Sequence, residues 1–290
     1  MNIQAVKTPQ ELLSEDSDNS FYEFPNFINV KGFFNKSRSR KKLKLLKAVD
    51  PILEKMIESD DERVFYISQG MRINSFDQLF IGWIAYYYNF FCFVFTTKRI
   101  LLVHLKNRTK RGNFIASIEY SDIQKVSSSF GKLKVRFRNG KSLMLASMPG
   151  RDRKFLIEFL KTVLPAYSEK DKSLPGVRNL CPGCFSEIAD FPVSCSSCHV
   201  GFKTPGKAAL LSFLMPGLGD LYLGSKFLGV VELLFMALIW FSMISALIEA
   251  VSSGENFLVA LIPILIFLLI VHGIDALKSF YIGRKGLAFA

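Results

Sequence analysis

Apolar and polar residues alternate strictly over residues 132–138, and this pattern predicts a β-strand with one buried face. The inward positions of this strand are Leu133, Val135 and Phe137. The dipeptide Asn139-Gly140 comes next, and residues 141–147 alternate again. Since Asn and Gly both tolerate the left-handed backbone region, we expect a β-hairpin with a type I′ turn.

The same period of two, with aromatic and β-branched residues, extends over residues 62–147 and predicts an antiparallel sheet. Residues 151–163 then change to helical spacing. The apolar positions are Phe155, Leu156, Phe159, Leu160 and Val163. We therefore expect one amphipathic helix to close the sheet domain.

Two segments of this sheet resemble a known family. Phe-Thr-Thr-Lys-Arg-Ile-Leu at 95–101 and Ile-Glu-Tyr-Ser-Asp-Ile-Gln-Lys-Val at 118–126 are similar to consecutive segments of bacterial pleckstrin-homology domains of the PH/GRAM type. The resemblance implies a curved sheet or open barrel with a C-terminal helix over residues 62–166.

An alternative exists for part of this domain, because no charged residue occurs between Asp77 and Lys98. A window of that length can span a bilayer as a helix. The polar segment 86–89 lies at its centre, and the aromatic content favours strands. A membrane-touching aromatic hairpin is intermediate between the two.

Residues 1–61 combine an acidic leader with a basic segment. Residues 31–47 hold eight Lys or Arg and no acid. Apolar residues recur at helical spacing at Leu43, Leu46, Val49, Leu53 and Met56. Asp50-Pro51 predicts a break and restart of this helix. Such a helix can lie on an anionic membrane or pack on its own domain.

Charge is distributed unevenly along the chain. The net charge is +12, yet residues 206–290 hold five basic and five acidic side chains, so the excess lies in residues 1–205. A basic part beside a neutral apolar part suggests anionic lipid or nucleic acid as a partner, and a merely solvated basic surface is the alternative. The expected contact residues are Lys41, Lys42, Lys44, Lys132, Lys134, Arg136 and Arg138.

Two cysteine pairs carry the strongest motif, Cys181-Pro-Gly-Cys184 and Cys195-Ser-Ser-Cys198. Four thiolates in two short turns are typical of a zinc ribbon, here residues 180–202 after a linker at 167–179. Four protein ligands leave no open position, so the zinc is structural. Because Cys-Pro-Gly-Cys is similar to redox dithiols, thiol-disulfide exchange is the alternative.

The C-terminal region is almost wholly apolar. Residues 227–248 and 257–274 are each long enough to cross a bilayer. The segment that connects them carries two acids and no base, while cations precede the first span and follow the second. This distribution predicts an α-helical membrane hairpin whose two ends both face the cytosol. Residues 208–224 are interrupted by glycines and predict a short helix, a glycine turn and re-entry; three spans are the alternative.

Residues 207–224, which end Met-Pro-Gly-Leu-Gly-Asp-Leu-Tyr-Leu-Gly, resemble the opening of a TM2 domain, and the resemblance extends over about 208–277. The ionisable residues in this region are Asp220, Glu232, His272 and Asp275. Ionisable groups near a bilayer are functional candidates. Snorkelling to Lys226 or Lys278 is the structural alternative.

The sequence thus predicts a multi-domain chain: a PH-like sheet domain, a small zinc ribbon and a TM2-like membrane region at 206–290. We expect a non-enzymatic protein of the bacterial inner membrane that binds a protein partner or senses the membrane surface. A membrane-tethered nucleic-acid-binding protein and a CxxC redox protein are the alternatives. Membrane lipids and a second copy of the chain are further expected partners.

Overall fold

The computed structural model of the protein describes residues 35–57, 62–73, 89–106, 110–167, 176–189, 192–254 and 256–285. These residues form two compact units, Met1–Ile188 and Ala189–Ala290. Each unit is described by itself.

The first unit is built on an antiparallel sheet in the strand order β5-β6-β7-β1-β2-β3-β4-β8-β9. The strands are β1 Val64–Ile73, β2 Phe90–Thr96, β3 Arg99–Lys106, β4 Lys110–Glu119, β5 Ile123–Ser129, β6 Lys132–Phe137, β7 Ser142–Ala146, β8 Arg178–Leu180 and β9 Glu187–Ile188. Helix α1, Asn35–Met56, precedes the sheet, and helix α2, Gly150–Val163, follows β7.

The predicted hairpin is confirmed in β6 and β7, with Leu133, Val135 and Phe137 buried. The predicted type I′ turn is wrong. That turn needs positive φ at both central residues, whereas only Gly140 has it, at φ 80°. The Asn139 side chain instead accepts a hydrogen bond from the Lys141 amide at 3.0 Å. This is an Asx-type turn, in which the left-handed residue is Gly140.

Helix α1 is continuous, so the predicted break at Asp50-Pro51 is wrong. Val49, Ile52 and Leu53 are fully buried in one apolar core with β1 to β4. This packing offsets the hydrogen bond that Pro51 cannot donate. The apolar face of α1 is therefore covered by its own domain.

The charge-free window at 77–98 is a strand over part of its length. Residues 90–96 form β2, are buried throughout, and pair with both β1 and β3. A spanning helix is therefore wrong for this part of the window. Residues 74–88, where an aromatic hairpin was the other alternative, lie outside the described residues.

Helix α2 has the predicted amphipathic pattern. Leu156, Phe159, Leu160 and Val163 are buried, and the Phe159 ring lies 4.2 Å from that of Phe65 on β1. Phe155 is half-buried and stacks at 4.5 Å on Tyr66. The helix closes one face of the sheet domain.

The predicted linker at 167–179 gives way to strand structure near its end. Arg178 and Asn179 belong to β8 and pair with β4, opposite Ser117 and Ala116. Residues 168–175 lie outside the described part of the chain. The first strand of the cysteine segment is thus an additional strand of the domain's sheet.

The second unit contains α3 Pro205–Leu214, α4 Leu218–Leu223, α5 Lys226–Ser252 and α6 Phe257–Lys285. The predicted short helix and glycine turn are confirmed, with Gly217 at φ 93° before α4. Helices α5 and α6 are long and apolar enough to cross a membrane, and little of either apolar stretch is buried. Among the described residues two helices, not three, meet this criterion.

Close backbone contacts hold the short helices of this unit in place. A Cβ atom on Gly219 would overlap Ser212 Oγ and the Ala208 carbonyl oxygen, and would lie 2.7 Å from Ser279 Oγ. Ser212 and Ser279 are themselves joined by a 2.7 Å hydrogen bond. The glycines of this segment therefore serve close approach between α3, α4 and α6.

Candidate functional site

The four predicted metal ligands lie together. The Sγ atoms of Cys181, Cys184, Cys195 and Cys198 are all within 4.8 Å of one another. Cys181 and Cys195 are fully buried, Cys198 is half-buried and Cys184 is exposed. No disulfide joins the five cysteines, all of which fall in the described residues.

Each cysteine pair is formed in the same kind of turn. The Phe185 amide donates to the Cys181 carbonyl at 2.7 Å, and the His199 amide donates to the Cys195 carbonyl at 3.0 Å. Phe185 and His199 both have left-handed backbones, φ 59° and φ 58°. In metal knuckles this position is often glycine, and here two larger residues adopt its conformation.

The donor set fits a tetrahedral thiophilic metal. The Gly183 amide lies 3.4 Å from Cys181 Sγ, and an amide directed at sulfur stabilises a thiolate. His199 is not part of the four-residue cluster. Four thiolates occupy every position of a tetrahedral ion, so this arrangement can support structure but leaves no place for a substrate.

Cys92 is separate from this cluster. It lies on β2 with no exposed surface, and burial raises the pKa of its thiol well above the usual range. A protonated, enclosed thiol is a poor nucleophile. Cys92 therefore serves packing.

The predicted cations on and just after β6 differ in exposure. Lys134 and Arg136 are exposed, and Lys132 is half-buried. Arg138 follows the strand, is half-buried, and donates from its Nη2 to the Tyr167 carbonyl at 3.4 Å, so its prediction as a contact residue of an exposed face is wrong. Arg136 lies directly opposite Lys125 on β5. Like charges opposite each other across two strands are destabilising unless an anion lies near them.

The cations of α1 divide into two groups. Lys41 and Lys44 are exposed. Lys42 lies inward, with 13% of its side chain exposed, and its Nζ is 3.5 Å from Asp152 Oδ1 and 3.9 Å from the centre of the Tyr66 ring. Burial lowers the pKa of Lys42, although Asp152 partly opposes the shift.

Asp152 was not identified by the sequence reasoning. It is buried at the start of α2 and accepts hydrogen bonds from Tyr66 Oη at 2.9 Å and Ser68 Oγ at 2.7 Å. Burial, with Asp152 nearby, raises the pKa of Tyr66. In the sequence, Asp152 stands between two arginines and matches an ordinary helix start, so the buried network has no local signal.

Three of the four polar candidates in the second unit form one cluster. Carboxylate oxygens of Asp220, Glu232 and Asp275 lie within 4.8 Å of one another. Lys278 Nζ contacts all three, at 2.9 Å from Asp220 Oδ2. Lys278 was expected as a snorkelling partner, and it joins carboxylates from α4, α5 and α6.

The fourth candidate, His272, has a different contact. Its Nδ1 lies 2.7 Å from the Phe213 carbonyl oxygen of α3. Asp275 has a second role, since its Oδ2 accepts a 3.0 Å hydrogen bond from the Gly217 amide. These contacts fix the glycine turn against α6.

Comparison with known protein families finds one match, which covers part of the chain. The search of curated proteins and the search of solved structures found no match to the chain. Residues 59–161, which extend from just before β1 into α2, match the sequence model of the family described as Bacterial PH domain.

Proposed function

We propose that this chain is a membrane-anchored, non-enzymatic protein that presents a PH-like domain and a zinc ribbon to the cytosol. The domain senses an anionic membrane surface or binds an acidic partner. The TM2-like region, residues 206–290, is the anchor.

The observation that carries the sensing role is the exposed face of β5 and β6. No acidic residue occurs between Asp122 and Asp152. The basic residues in that interval are Lys125, Lys132, Lys134, Arg136, Arg138, Lys141 and Arg151. An acid-free face with Lys125 opposite Arg136 is relieved of repulsion by an anionic surface.

The anchor rests on α5 and α6. Both are long, apolar and mostly exposed, which is the surface expected of helices that contact lipid. Cations flank the pair, and the stretch from Glu249, near the end of α5, to Glu255 carries two acids and no base, so both ends are assigned to the cytosol of a bacterial inner membrane. A four-thiolate zinc site requires reduced cysteines, which agrees with that compartment.

Protease protection tests this orientation. In spheroplasts of a bacterial host, external protease should leave residues 1–205 intact, and in inverted membrane vesicles it should digest them. Carbonate extraction should leave the protein in the membrane pellet. Digestion in intact spheroplasts would contradict the orientation, and release by carbonate would contradict the anchor.

The zinc ribbon is tested by metal content. Cys181, Cys184, Cys195 and Cys198 would hold a zinc ion, whose chemistry here is structural cross-linking of two turns. We expect purified full-length protein to contain a single zinc ion per chain, and Cys181→Ser to lose it. Cys92→Ser is the matched control and should keep zinc. Equal zinc content in both variants would contradict the assignment.

The nucleic-acid alternative uses the same basic face, so a direct comparison distinguishes the two. Full-length protein in phosphatidylcholine nanodiscs should bind anionic vesicles more tightly than DNA or RNA, and Lys134→Glu with Arg136→Glu should abolish vesicle binding. Salt-sensitive binding of DNA or RNA without vesicle binding would favour the alternative. Cycling of one cysteine pair between dithiol and disulfide would favour a redox role.

A further inference from the structure

A pocket of about 520 Å³ opens between α1, β1 and the start of α2. This volume is in the range of small-molecule sites. The cations that line it are Lys41, Lys42, Arg151, Arg153 and Lys154. Lys41 and Lys42 belong to α1, which lies outside the segment that matches the family, so the pocket depends on a helix beyond that segment.

The single acid in the pocket does not offset these charges. Asp152 receives hydrogen bonds from Tyr66 and Ser68 and lies 3.5 Å from Lys42, so both of its oxygens face donors. Five cations and one acid leave four positive charges in excess. The pocket therefore favours a ligand with negative charge.

The N-terminus of α2 adds to the preference of the pocket for a negatively charged ligand. Pro149 occupies the N-cap of α2 and has no side-chain acceptor for the first amides of the helix. Helix N-termini carry a partial positive charge and bind phosphate groups. Lys42 supports the same conclusion, because its Nζ lies 3.5 Å from Asp152 and 3.9 Å from the centre of the Tyr66 ring, and an anion in the pocket would supply a closer acceptor.

An apolar side chain projects beside the pocket. Arg153 lines the pocket, and its Nη1 donates a hydrogen bond to the Gly131 carbonyl at the tip of the β5-β6 hairpin. The residue before Gly131 is Phe130, whose surface is 99% exposed and whose backbone is left-handed at φ 46°. A phenylalanine held outward in this way is suited to the apolar boundary of a bilayer.

We propose that this pocket binds the phosphate headgroup of an anionic phospholipid while Phe130 inserts beside it. The inference rests on the proposed function, in which the domain senses a membrane surface, and adds the ligand class and the residues that select it. The flat face of β6 supplies general attraction, whereas the pocket supplies recognition of phosphate.

The test uses full-length protein in phosphatidylcholine nanodiscs and vesicles that contain phosphatidylglycerol. The soluble headgroup glycerophosphoglycerol should compete with these vesicles, and vesicles given the same charge by oleate should bind more weakly. Lys41→Gln with Lys154→Gln changes two exposed pocket residues and should lower vesicle affinity about 25-fold, since each basic residue near an anionic surface contributes about fivefold. Residual binding should no longer respond to glycerophosphoglycerol.

The matched control is Lys134→Gln with Arg136→Gln, which removes the same charge from the sheet face. Its remaining binding should still be competed by glycerophosphoglycerol. Phe130→Ser should weaken vesicle binding, and Phe130→Trp should retain it with a blue shift in fluorescence.

Three results would overturn the inference. Normal competition in the pocket variant, with loss only in the sheet-face variant, would remove the pocket and leave the proposed function standing. Binding of glycerophosphoglycerol without vesicle binding would assign the pocket to a soluble phosphate compound. Absence of binding to every anionic vesicle would remove both the inference and the sensing role.

Discussion

Phe130 combines two properties that folded domains ordinarily avoid, full exposure and a left-handed backbone. A non-glycine residue in that region costs about 1–3 kcal/mol. Nothing in its side-chain contacts compensates within the described residues, because the ring lies in solvent. Phe130 at this position therefore does not stabilise the fold.

Phe130→Gly should raise the free energy of unfolding by about 0.5–1 kcal/mol, because glycine adopts positive φ without steric penalty. Thermal unfolding of the full-length protein, followed by sheet circular dichroism, measures the change. Phe130→Ala removes the ring but keeps the strain, so it should show no gain. Equal midpoints for the Gly and Ala variants would contradict the strain argument.

Asp122 is a buried carboxylate whose ion pair with Arg178 only partly offsets the cost of burying its charge. Its side chain is 1% exposed, and Arg178 Nη2 lies 3.5 Å from its Oδ2. Burial raises the pKa of Asp122, with Glu187 adding to the shift and with Arg178 and Arg138 opposing it. The neighbouring Glu119 has a pKa raised by burial as well.

A raised pKa means that the folded state binds the proton more tightly than the unfolded state. The stabilisation from Asp122 is thus complete below the unfolded pKa of about 4 and is lost as pH rises through the folded value. Asp122→Asn should remove this part of the pH dependence. Thermal midpoints measured across mildly acidic to neutral pH, for wild type and variant, test it; parallel curves would refute the assignment.

The Thr-Thr-Lys-Arg segment at 96–99, which connects β2 to β3, has a structural role. Arg99 binds Glu62 through Nε and Nη2, both at 3.0 Å, and Thr96 Oγ1 donates to Glu62 at 2.7 Å. Thr96 Oγ1 also accepts from the Arg99 amide at 3.0 Å. The segment that carries the family resemblance therefore closes the β2-β3 hairpin and ties it to the start of β1.

Arg99→Leu should lower the free energy of unfolding by about 3 kcal/mol, because it leaves the buried Glu62 carboxylate without its guanidinium. Arg136→Leu is the same substitution on an exposed strand position and should change stability by less than about 0.5 kcal/mol. Denaturant or thermal unfolding of both variants gives the comparison. Similar losses in the two would show that the ion pair contributes little.

In the second unit, elements meet through small residues. Gly219→Ala should cost about 1–3 kcal/mol, since its new methyl group would overlap Ser212 and Ala208. Gly206→Ala has open space around its Cβ position and is the control. Thermal stability of the detergent-purified protein measures both. A Gly219→Ala protein as stable as Gly206→Ala would show that α3 and α4 can separate at little cost.

For the whole molecule, local patterns predicted the features that depend on neighbouring residues. The alternation of β6 and the paired cysteines could be interpreted from spacing alone, because strand period and metal turns are local. Asp152 could not, since its partners Tyr66 and Ser68 lie more than 80 residues away. Pro51 led to a wrong prediction for the same reason, because the core on which the continuous helix α1 packs comes from distant strands.

The glycine turn before α4 was predicted from Pro216-Gly217, yet the ion cluster around Lys278 was only half foreseen. Sequence position placed Asp220 and Asp275, but not Glu232, near a span end, and it did not reveal that one ammonium group joins three helices. Which side chains meet in this way depends on how each helix is rotated about its axis. Because α5 and α6 are apolar on every side, the sequence does not show which face of each helix packs inward.

The pairing of β8 with β4 has a consequence for solubility. While β8 is in place, its three residues, Arg178–Leu180, cover part of the ten-residue strand β4, whose amides and carbonyls would otherwise face outward. If the cysteines hold zinc as proposed, loss of that metal beside β8 would loosen this cover and expose a template for pairing with another chain. On the zinc hypothesis, removal of the metal would therefore cause the domain to self-associate before it unfolds as a whole.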